Sequence, residues 1–354
     1  MSLPLLSLLS ALAGAHAAKD SICLLYASDA TRSFYFSGVT PSGALNPQLL
    51  NFPQWDALLL GLAAGEDEDT LYVVPEGVGA DPNMTIATIK TSPAGNATVS
   101  YAMLGPVPGF DVPNAYTYMN TLHLDVPRGQ MVAMLQGTEG RPPAAAAAAA
   151  RGGGALRDPG DYFLVLADIF PANGTVSRVL VDLGSYDMRW GSAVLSGVSA
   201  LSSDATYWIN PVAGNVPSGQ AVYGFPLNGS APVVVPYGAA ANLDHLFYST
   251  ARGGLLAVTT DGKGVPTLAR FAPPPAPTFQ PIFTWNTSGG LQDWGLYDVT
   301  PDGSKLLSVL VDAQGLSPRL VVLDLVNLKE LARVPLKAFG ADDTVCDIAW
   351  CNVE

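Results

Sequence analysis

The feature that most constrains the fold is a strand–turn–strand unit that recurs along the chain. Its clearest copy spans 295–312, where a Pro-Asp-Gly turn joins two short apolar segments. Two further apolar segments follow at 319–325 and 330–336, so the unit predicts four short strands in an antiparallel meander. One meander cannot bury both of its faces, so successive copies are expected to stack on each other.

Matching strand–turn–strand segments occur at four earlier places in the chain. They span 58–74, 122–135, 198–209 and 246–258. The last two spacings between these anchoring turns are about 50 residues, which is the period of a β-propeller blade. The repeat therefore favours one closed array over two separate domains.

The two ends of the chain resemble complementary halves of one more unit. Residues 344–352 match the first strand and turn, and residues 21–26 match the second strand, with 33–40 and 45–52 completing the set. We therefore predict an all-β protein, a six-bladed β-propeller of four-stranded antiparallel blades closed by N- and C-terminal strands that share one blade. A seventh blade beside the long third unit is the alternative.

One blade also carries a family resemblance. The segment Asp298-Val-Thr-Pro-Asp-Gly-Ser-Lys-Leu-Leu resembles the strand–turn–strand signature of WD40-like and TolB-like propeller repeats, and Val321-Val-Leu-Asp-Leu325 resembles their third strand. The other five blades match in pattern only, and the Gly-His and Trp-Asp dipeptides of WD40 repeats are missing in that arrangement. The resemblance implies the propeller fold and assigns no functional residue.

Two segments lie outside the predicted blades. Residues 1–17 combine an apolar stretch with the triplet Ala15-His16-Ala17, which predicts a signal peptide cleaved after Ala17. Residues 18–354 then form a single propeller domain, with a low-complexity insertion at 140–160 that contains seven consecutive alanines. No later run of apolar residues is long enough to predict a membrane span.

The predicted compartment is extracellular. Five N-glycosylation sequons support a secreted glycoprotein, and their acceptors are Asn83, Asn96, Asn173, Asn228 and Asn286. The net charge of −13 disfavours nucleic acid and anionic membranes as partners. It favours a cation, a basic protein or a neutral glycan, and it does not predict an oligomeric state.

The cysteines are expected to close the propeller. A hairpin about the Pro-Asp-Gly turn places Asp298 opposite Leu307, and the equivalent pair in the shared blade is Asp347 and Cys23. This alignment predicts a Cys23–Cys346 disulfide, because Cys346 adjoins Asp347. Cys351 is the alternative partner of Cys23. A bridge between the two C-terminal cysteines is disfavoured, since five residues of extended strand exceed disulfide reach.

No recognisable catalytic set is present. The chain has no Gly-x-Ser-x-Gly elbow and no zinc-binding spacing, and its histidines after residue 17, His123 and His245, lie in predicted inner strands. They are interpreted as core or channel residues. Asp298 and Asp347 occupy equivalent positions in neighbouring blades, where we expect them to accept backbone hydrogen bonds and fix the packing of the blades.

The candidate ligand site is a set of carboxylates where the inner strands begin, at one mouth of the channel. Its members are Asp56, Asp244, Asp293, Asp342 and Asp343, and the aromatic residues beside them are Trp55 and Trp294. Such a rim could bind Ca²⁺ or attract an organic cation, and aromatic rings beside carboxylates also suit a sugar. Aspartates that merely cap the turns before the strands are the simpler interpretation.

Two functions follow as hypotheses. The first is a non-catalytic recognition or scaffold module that binds a glycan or an extracellular protein at one propeller face. The alternative is a Ca²⁺-dependent hydrolase or lactonase-like enzyme, in which a metal ion at the mouth polarises a carbonyl and a rim carboxylate acts as base. The sequence favours the first and leaves enzymatic activity open.

Overall fold

The computed structural model describes most of the chain from Ser21 to Cys351. The described residues are 21–28, 33–40, 42–45, 50–52, 59–65, 69–76, 85–92, 96–109, 115–117, 122–125, 128–137, 163–183, 199–210, 220–237, 242–261, 264–272, 278–300, 302–312, 317–336 and 343–351. The predicted signal peptide and the predicted insertion at 140–160 lie outside them. Within these residues, no helix has the length and apolarity that crossing a membrane would require.

The described residues form six antiparallel sheets, each of which is one blade of a propeller. Blade 1 contains β25 (Asp343–Cys351), β1 (Ser21–Ser28), β2 (Ser33–Val39) and β3 (Leu50–Phe52), in order from the channel outwards. Blade 2 contains β4 (Leu59–Ala64), β5 (Thr70–Glu76), β6 (Thr85–Thr91) and β7 (Ala97–Met103). Blade 3 contains β8 (Ala115–Thr117) and β9 (His123–Asp125), both beside β10 (Gln130–Gly137), then β11 (Phe163–Phe170) and β12 (Thr175–Asp182).

The second half of the ring repeats the same meander. Blade 4 contains β13 (Ser199–Leu201), β14 (Thr206–Ile209), β15 (Gln220–Pro226) and β16 (Val233–Tyr237). Blade 5 contains β17 (Asn242–Ser249), β18 (Gly254–Thr260), β19 (Pro266–Ala272) and β20 (Thr278–Thr284). Blade 6 contains β21 (Gln292–Val299), β22 (Lys305–Val311), β23 (Arg319–Asp324) and β24 (Lys329–Pro335).

The ring closes as the sequence predicted. The C-terminal strand β25 is the innermost strand of blade 1 and pairs with the N-terminal strand β1, for example at Ile348 and Leu24. Each inner strand contacts the next, in the order β25, β4, β9, β13, β17 and β21, and β21 returns to β25. The six-bladed prediction is therefore confirmed, and the described strands do not form a seventh blade.

The burial pattern explains why these segments become strands of a stacked array. Second strands are covered on both faces by neighbouring blades, so they are apolar almost throughout, and β22 is buried from Leu306 to Val311. Outer strands have one free face, and β7 accordingly has no fully buried residue. The apolar clusters therefore lie between successive blades rather than in one central core.

Two carboxylates, the partly buried Asp298 and the buried Asp347, join neighbouring blades as predicted. Asp298 accepts a hydrogen bond from the backbone N–H of Trp350 at 2.8 Å, which links blade 6 to blade 1. Asp347 accepts one from the backbone N–H of Leu62 at 2.6 Å, which links blade 1 to blade 2. Burial raises the pKa of Asp298 to about 7 and that of Asp347 to about 8.

The disulfide differs from the predicted one. Cys23 is bonded to Cys351, with their Cα atoms 5.8 Å apart, and Cys346 is a buried free thiol. The prediction of Cys23–Cys346 is wrong because the register of blade 1 differs from that of blade 6 by two residues. Asp298 does lie opposite Leu307, but Asp347 lies opposite Leu25 instead of Cys23.

Candidate functional site

The described members of the predicted carboxylate rim all lie near the start of an inner strand. Asp244 lies in β17, Asp293 in β21 and Asp343 in β25. Inner strands of a propeller run in the same direction, so these residues lie at the same mouth of the channel. Asp56, Asp342 and Trp55 lie outside the described residues.

The structure brings two of these carboxylates together. Asp244 and Asp293 are close enough for the charge of Asp293 to raise the pKa of Asp244. Burial is the larger cause, and together they raise the pKa of Asp244 to about 6. Burial also raises the pKa of Asp293, whose Oδ1 accepts a hydrogen bond from the backbone N–H of Gly295 at 3.0 Å. Asp343 instead lies opposite Ser28 of β1 in the strand register, and it is close enough to Tyr26 to interact with it electrostatically.

Two buried aromatic side chains complete this cluster. The Tyr297 side chain is 5% exposed, and burial raises the pKa of its hydroxyl well above the usual value. The charge of Asp293, a hydrogen bond with Asp293 and the charge of Asp244 raise it further. Its ring centroid lies 5.2 Å from that of His245. Burial lowers the pKa of His245 to about 3, so this imidazole is neutral at physiological pH and cannot balance the carboxylates.

Sequence reasoning placed His245 in an inner strand correctly but did not single out Tyr297. The sequence did offer one signal for Tyr297, which is its position next to Asp298 in the clearest repeat. Successive side chains of a strand point to opposite faces, so Tyr297 is expected on the face opposite to that of Asp298. The second channel histidine, His123, lies two blades away in blade 3, and its Nε2 and Ser199 Oγ form a hydrogen bond of 2.8 Å. Burial lowers its pKa to about 4.

Trp294, which was predicted as an aromatic residue of the rim, packs between blades 6 and 1. It is half-buried, and its Nε1–H donates a hydrogen bond of 3.2 Å to the backbone carbonyl of Val345 in blade 1. Its ring packs with the apolar residues between blades 6 and 1. Trp294 is thus held by the neighbouring blade, at the same mouth as Asp293.

The described part of the chain holds no cluster of three or more His, Cys, Asp or Glu side chains arranged to bind a metal ion. Asp244 and Asp293 together have four carboxylate oxygens, which is fewer than the six to eight oxygen ligands that Ca²⁺ takes. The cluster is therefore an acidic, partly buried pair with aromatic neighbours.

A second candidate site lies at the opposite end of the ring, between blades 4 and 5. It is a groove of about 450 Å³, formed near the β13–β14 and β17–β18 turns. Its lining side chains are Ser202, Ser203, Asp204, Trp208, Tyr248, Leu255, Arg270, Phe271 and Gln280. This volume lies within the range of small-molecule sites, about 300–1,000 Å³.

Trp208 is held in the wall of the groove by its neighbours. It lies opposite Gly224, and a Cβ added to that glycine would approach the indole to 2.7 Å. The ring packs edge-on against Phe271 with centroids 6.0 Å apart, and its Nε1–H donates to Ser202 Oγ at 3.3 Å. Glycine at 224 is therefore needed for the indole to occupy this position.

The groove is lined by one negatively charged side chain, Asp204, one positively charged side chain, Arg270, and several neutral polar ones. Asp204 accepts a hydrogen bond from Ser202, and Ser203 donates one of 3.0 Å to the Tyr248 hydroxyl across the two blades. Arg270 lies opposite Gln280 in register, and both are exposed. Arg270 has no ion-pair partner within the described ranges. Sequence reasoning missed this groove, since its walls come from different blades.

The described sequon asparagines are all exposed. Asn96 precedes β7, Asn173 lies between β11 and β12, and Asn228 lies between β15 and β16, which is the same outer turn in three consecutive blades. Asn286 lies between blades 5 and 6. Asn83 lies outside the described residues. The four positions are accessible, as glycosylation would require.

The chain resembles solved β-propeller structures in fold. A chain from a crystal structure of a nidogen/laminin complex aligns with 93% of this chain and 97% of its own length, with a TM-score of 0.51 and 11% identity. Oligogalacturonate lyase in complex with manganese aligns over 88% and 77%, with a TM-score of 0.46 and 14% identity. At such identities the likeness shows the fold alone.

A third similar structure is a quinonprotein alcohol dehydrogenase-like protein from Bacteroides thetaiotaomicron. It aligns with 93% of this chain and 68% of its own length, with a TM-score of 0.40 and 10% identity. No protein-family model matches this chain, and no curated protein matches it by sequence. The protein is thus defined by its architecture, a six-bladed β-propeller, and its function has to be argued from its own residues.

Proposed function

We propose that this protein is a secreted, N-glycosylated recognition module that binds a neutral glycan in the groove between blades 4 and 5. The observation that carries the proposal is the indole of Trp208 in a concave surface that also contains Asp204, Arg270 and Gln280. The aromatic part offers an apolar surface, and the polar groups offer hydrogen bonds of both kinds.

The chemistry of a sugar ring matches this combination. Its C–H face is apolar and can lie against an aromatic ring, while its hydroxyl groups both donate and accept hydrogen bonds. Asp204 can accept from a hydroxyl, and the side chains of Arg270 and Gln280 can donate to one. The net charge of −13 disfavours an acidic polysaccharide, which supports a neutral ligand.

Secretion and glycosylation are parts of the same proposal. They are supported by the apolar N-terminal segment, the five sequons and the disulfide, which is typical of proteins outside the cytosol. The nidogen/laminin complex is an instance of a similar architecture within a protein assembly. A protein partner at the same face is therefore the alternative occupant.

The test is a glycan array with the purified protein, followed by calorimetry with the best saccharide. We expect Arg270→Gln and Trp208→Ala each to weaken binding at least about tenfold, which corresponds to about 1.4 kcal/mol. Arg319→Gln is the matched control, because Arg319 is also exposed but lies in blade 6. A blank array, or binding that both groove variants retain, would contradict the proposal.

A Ca²⁺-dependent hydrolase or lactonase acting at the channel mouth is the second candidate. The observation in its favour is the pKa of about 6 for Asp244, which suits a general base near neutral pH. Ester and lactone hydrolysis, measured with and without Ca²⁺ in the parent and in Asp244→Asn, tests this candidate. Turnover that needs the metal and is lost in the variant would favour it over a purely binding role.

A further inference from the structure

The channel mouth between blades 5 and 6 contains several polar atoms that lack a hydrogen-bond partner. Within the part of the chain that the structure describes, Asp244 Oδ2 and His245 Nδ1 have no partner, and the Tyr297 hydroxyl, which interacts with Asp293, has no donor to its oxygen. Tyr297 is 5% exposed and His245 is 9% exposed. Buried polar atoms are nearly always fully paired in native proteins, so unsatisfied atoms gathered in one cluster indicate an absent partner.

The partner should carry positive charge. Asp244 and Asp293 lie close to each other, and neither forms an ion pair with a Lys or Arg of the described segments. His245, the basic side chain of this cluster, is neutral. A water molecule could satisfy the unpaired atoms, but it would leave the repulsion between the two carboxylates in place.

The geometry also selects the kind of cation. A metal ion would need more ligands than this cluster supplies, because no group of three candidate ligand side chains exists among the described residues. An ammonium group carries three N–H donors, which match one oxygen from each carboxylate and the oxygen of Tyr297. The rings of Tyr297 and His245, 5.2 Å apart, can lie against its carbon chain.

We propose that Asp244, Asp293 and Tyr297 form a binding site for the primary ammonium group of a small organic amine at the channel mouth. The two carboxylates neutralise the charge, and the phenol oxygen completes the hydrogen bonds. Both aspartates are half-buried, so the pair borders solvent at the mouth, while Asp244 Oδ2 itself is buried. The site lies at the other end of the ring from the glycan groove, so the proposal does not depend on glycan binding.

Thermal unfolding and calorimetry with 1,5-diaminopentane test the site. Tetramethylammonium and CaCl₂ are compared at equal ionic strength, because the first has charge without N–H donors and the second is a metal. We expect the diamine alone to raise the melting temperature. Asp293→Asn and Tyr297→Phe should each weaken diamine binding at least about tenfold.

Asp324→Asn is the matched control, since Asp324 is a carboxylate in blade 6 far from the mouth, and it should bind the diamine like the parent. Tyr297→Phe removes one oxygen and keeps the ring, so it remains informative if an aspartate variant fails to fold. Stabilisation by CaCl₂ in place of the diamine would overturn the proposal in favour of a metal site. No response to either ligand, or undiminished diamine binding by Tyr297→Phe, would also overturn it.

Discussion

The Cys23–Cys351 disulfide is expected to be the largest single contributor to closure of the ring. The two residues are 328 positions apart, so the bond restricts nearly the whole unfolded chain. The loop-entropy relation gives about 6 kcal/mol for a loop of this length, and removal of natural disulfides typically costs about 2–5 kcal/mol. We therefore expect Cys351→Ala to lower the free energy of unfolding by about 2–5 kcal/mol.

Cys346→Ala provides the matched control, because Cys346 is buried in the same apolar cluster but is a free thiol. Its loss removes one small buried group and should cost only about 1 kcal/mol. The assay is urea denaturation with and without dithiothreitol. The parent and Cys346→Ala should both become less stable on reduction, whereas Cys351→Ala should be insensitive to it.

The reverse result would refute this reasoning. If Cys346→Ala removed the sensitivity to reductant and Cys351→Ala kept it, the bond would join Cys23 to Cys346 and the register of blade 1 would be wrong. If neither variant changed the response, closure would rest on strand pairing between β1 and β25 alone.

Two further predictions concern pH and a turn. The raised pKa values of Asp298 and Asp347 mean that the folded state holds protons which the unfolded chain has released, so stability should fall by about 2 kcal/mol from pH 6.5 to 8. Below pH 6.5 the neutral buried histidines oppose this trend; Asp347→Asn should flatten the upper range in urea titrations, and an unchanged slope would contradict the assignment. Gly303→Ala should cost more than about 2 kcal/mol, because φ is +69° and an added Cβ would lie 2.6 Å from the backbone nitrogen of Thr250. Gly229→Ala, with φ of +82° but open space around it, should cost about 1 kcal/mol in the same thermal or urea unfolding assay. Equal costs would contradict the contact between the turns of blades 5 and 6.

Repeat spacing and strand patterning were enough to predict the architecture. The six antiparallel blades, the shared first blade and the pairing of Asp298 with Leu307 are local consequences of alternating apolar residues and turn residues. The bonds from Asp298 and Asp347 to adjacent blades were also predictable, because equivalent positions in a repeat meet equivalent neighbours.

Only the tertiary structure shows which cysteine is bonded to Cys23. A bulge gives β25 one extra residue at Cys346, between the pairs Leu25–Asp347 and Tyr26–Val345. Alignment of blades assumes equal lengths, so it cannot reveal where a bulge falls or how far one register is offset from another. The choice between Cys346 and Cys351 as the partner of Cys23 was therefore open in the sequence.

The candidate sites depend on contacts between blades in the same way. The sequence predicts that Asp244 and Asp293 begin inner strands, but only blade stacking sets them beside each other and beside Tyr297. The groove combines Trp208 of blade 4 with Arg270 of blade 5, which no local pattern relates. Local alternation thus determines the strands and the closed ring, whereas the twist and packing of neighbouring blades determine which side chains meet to form a site.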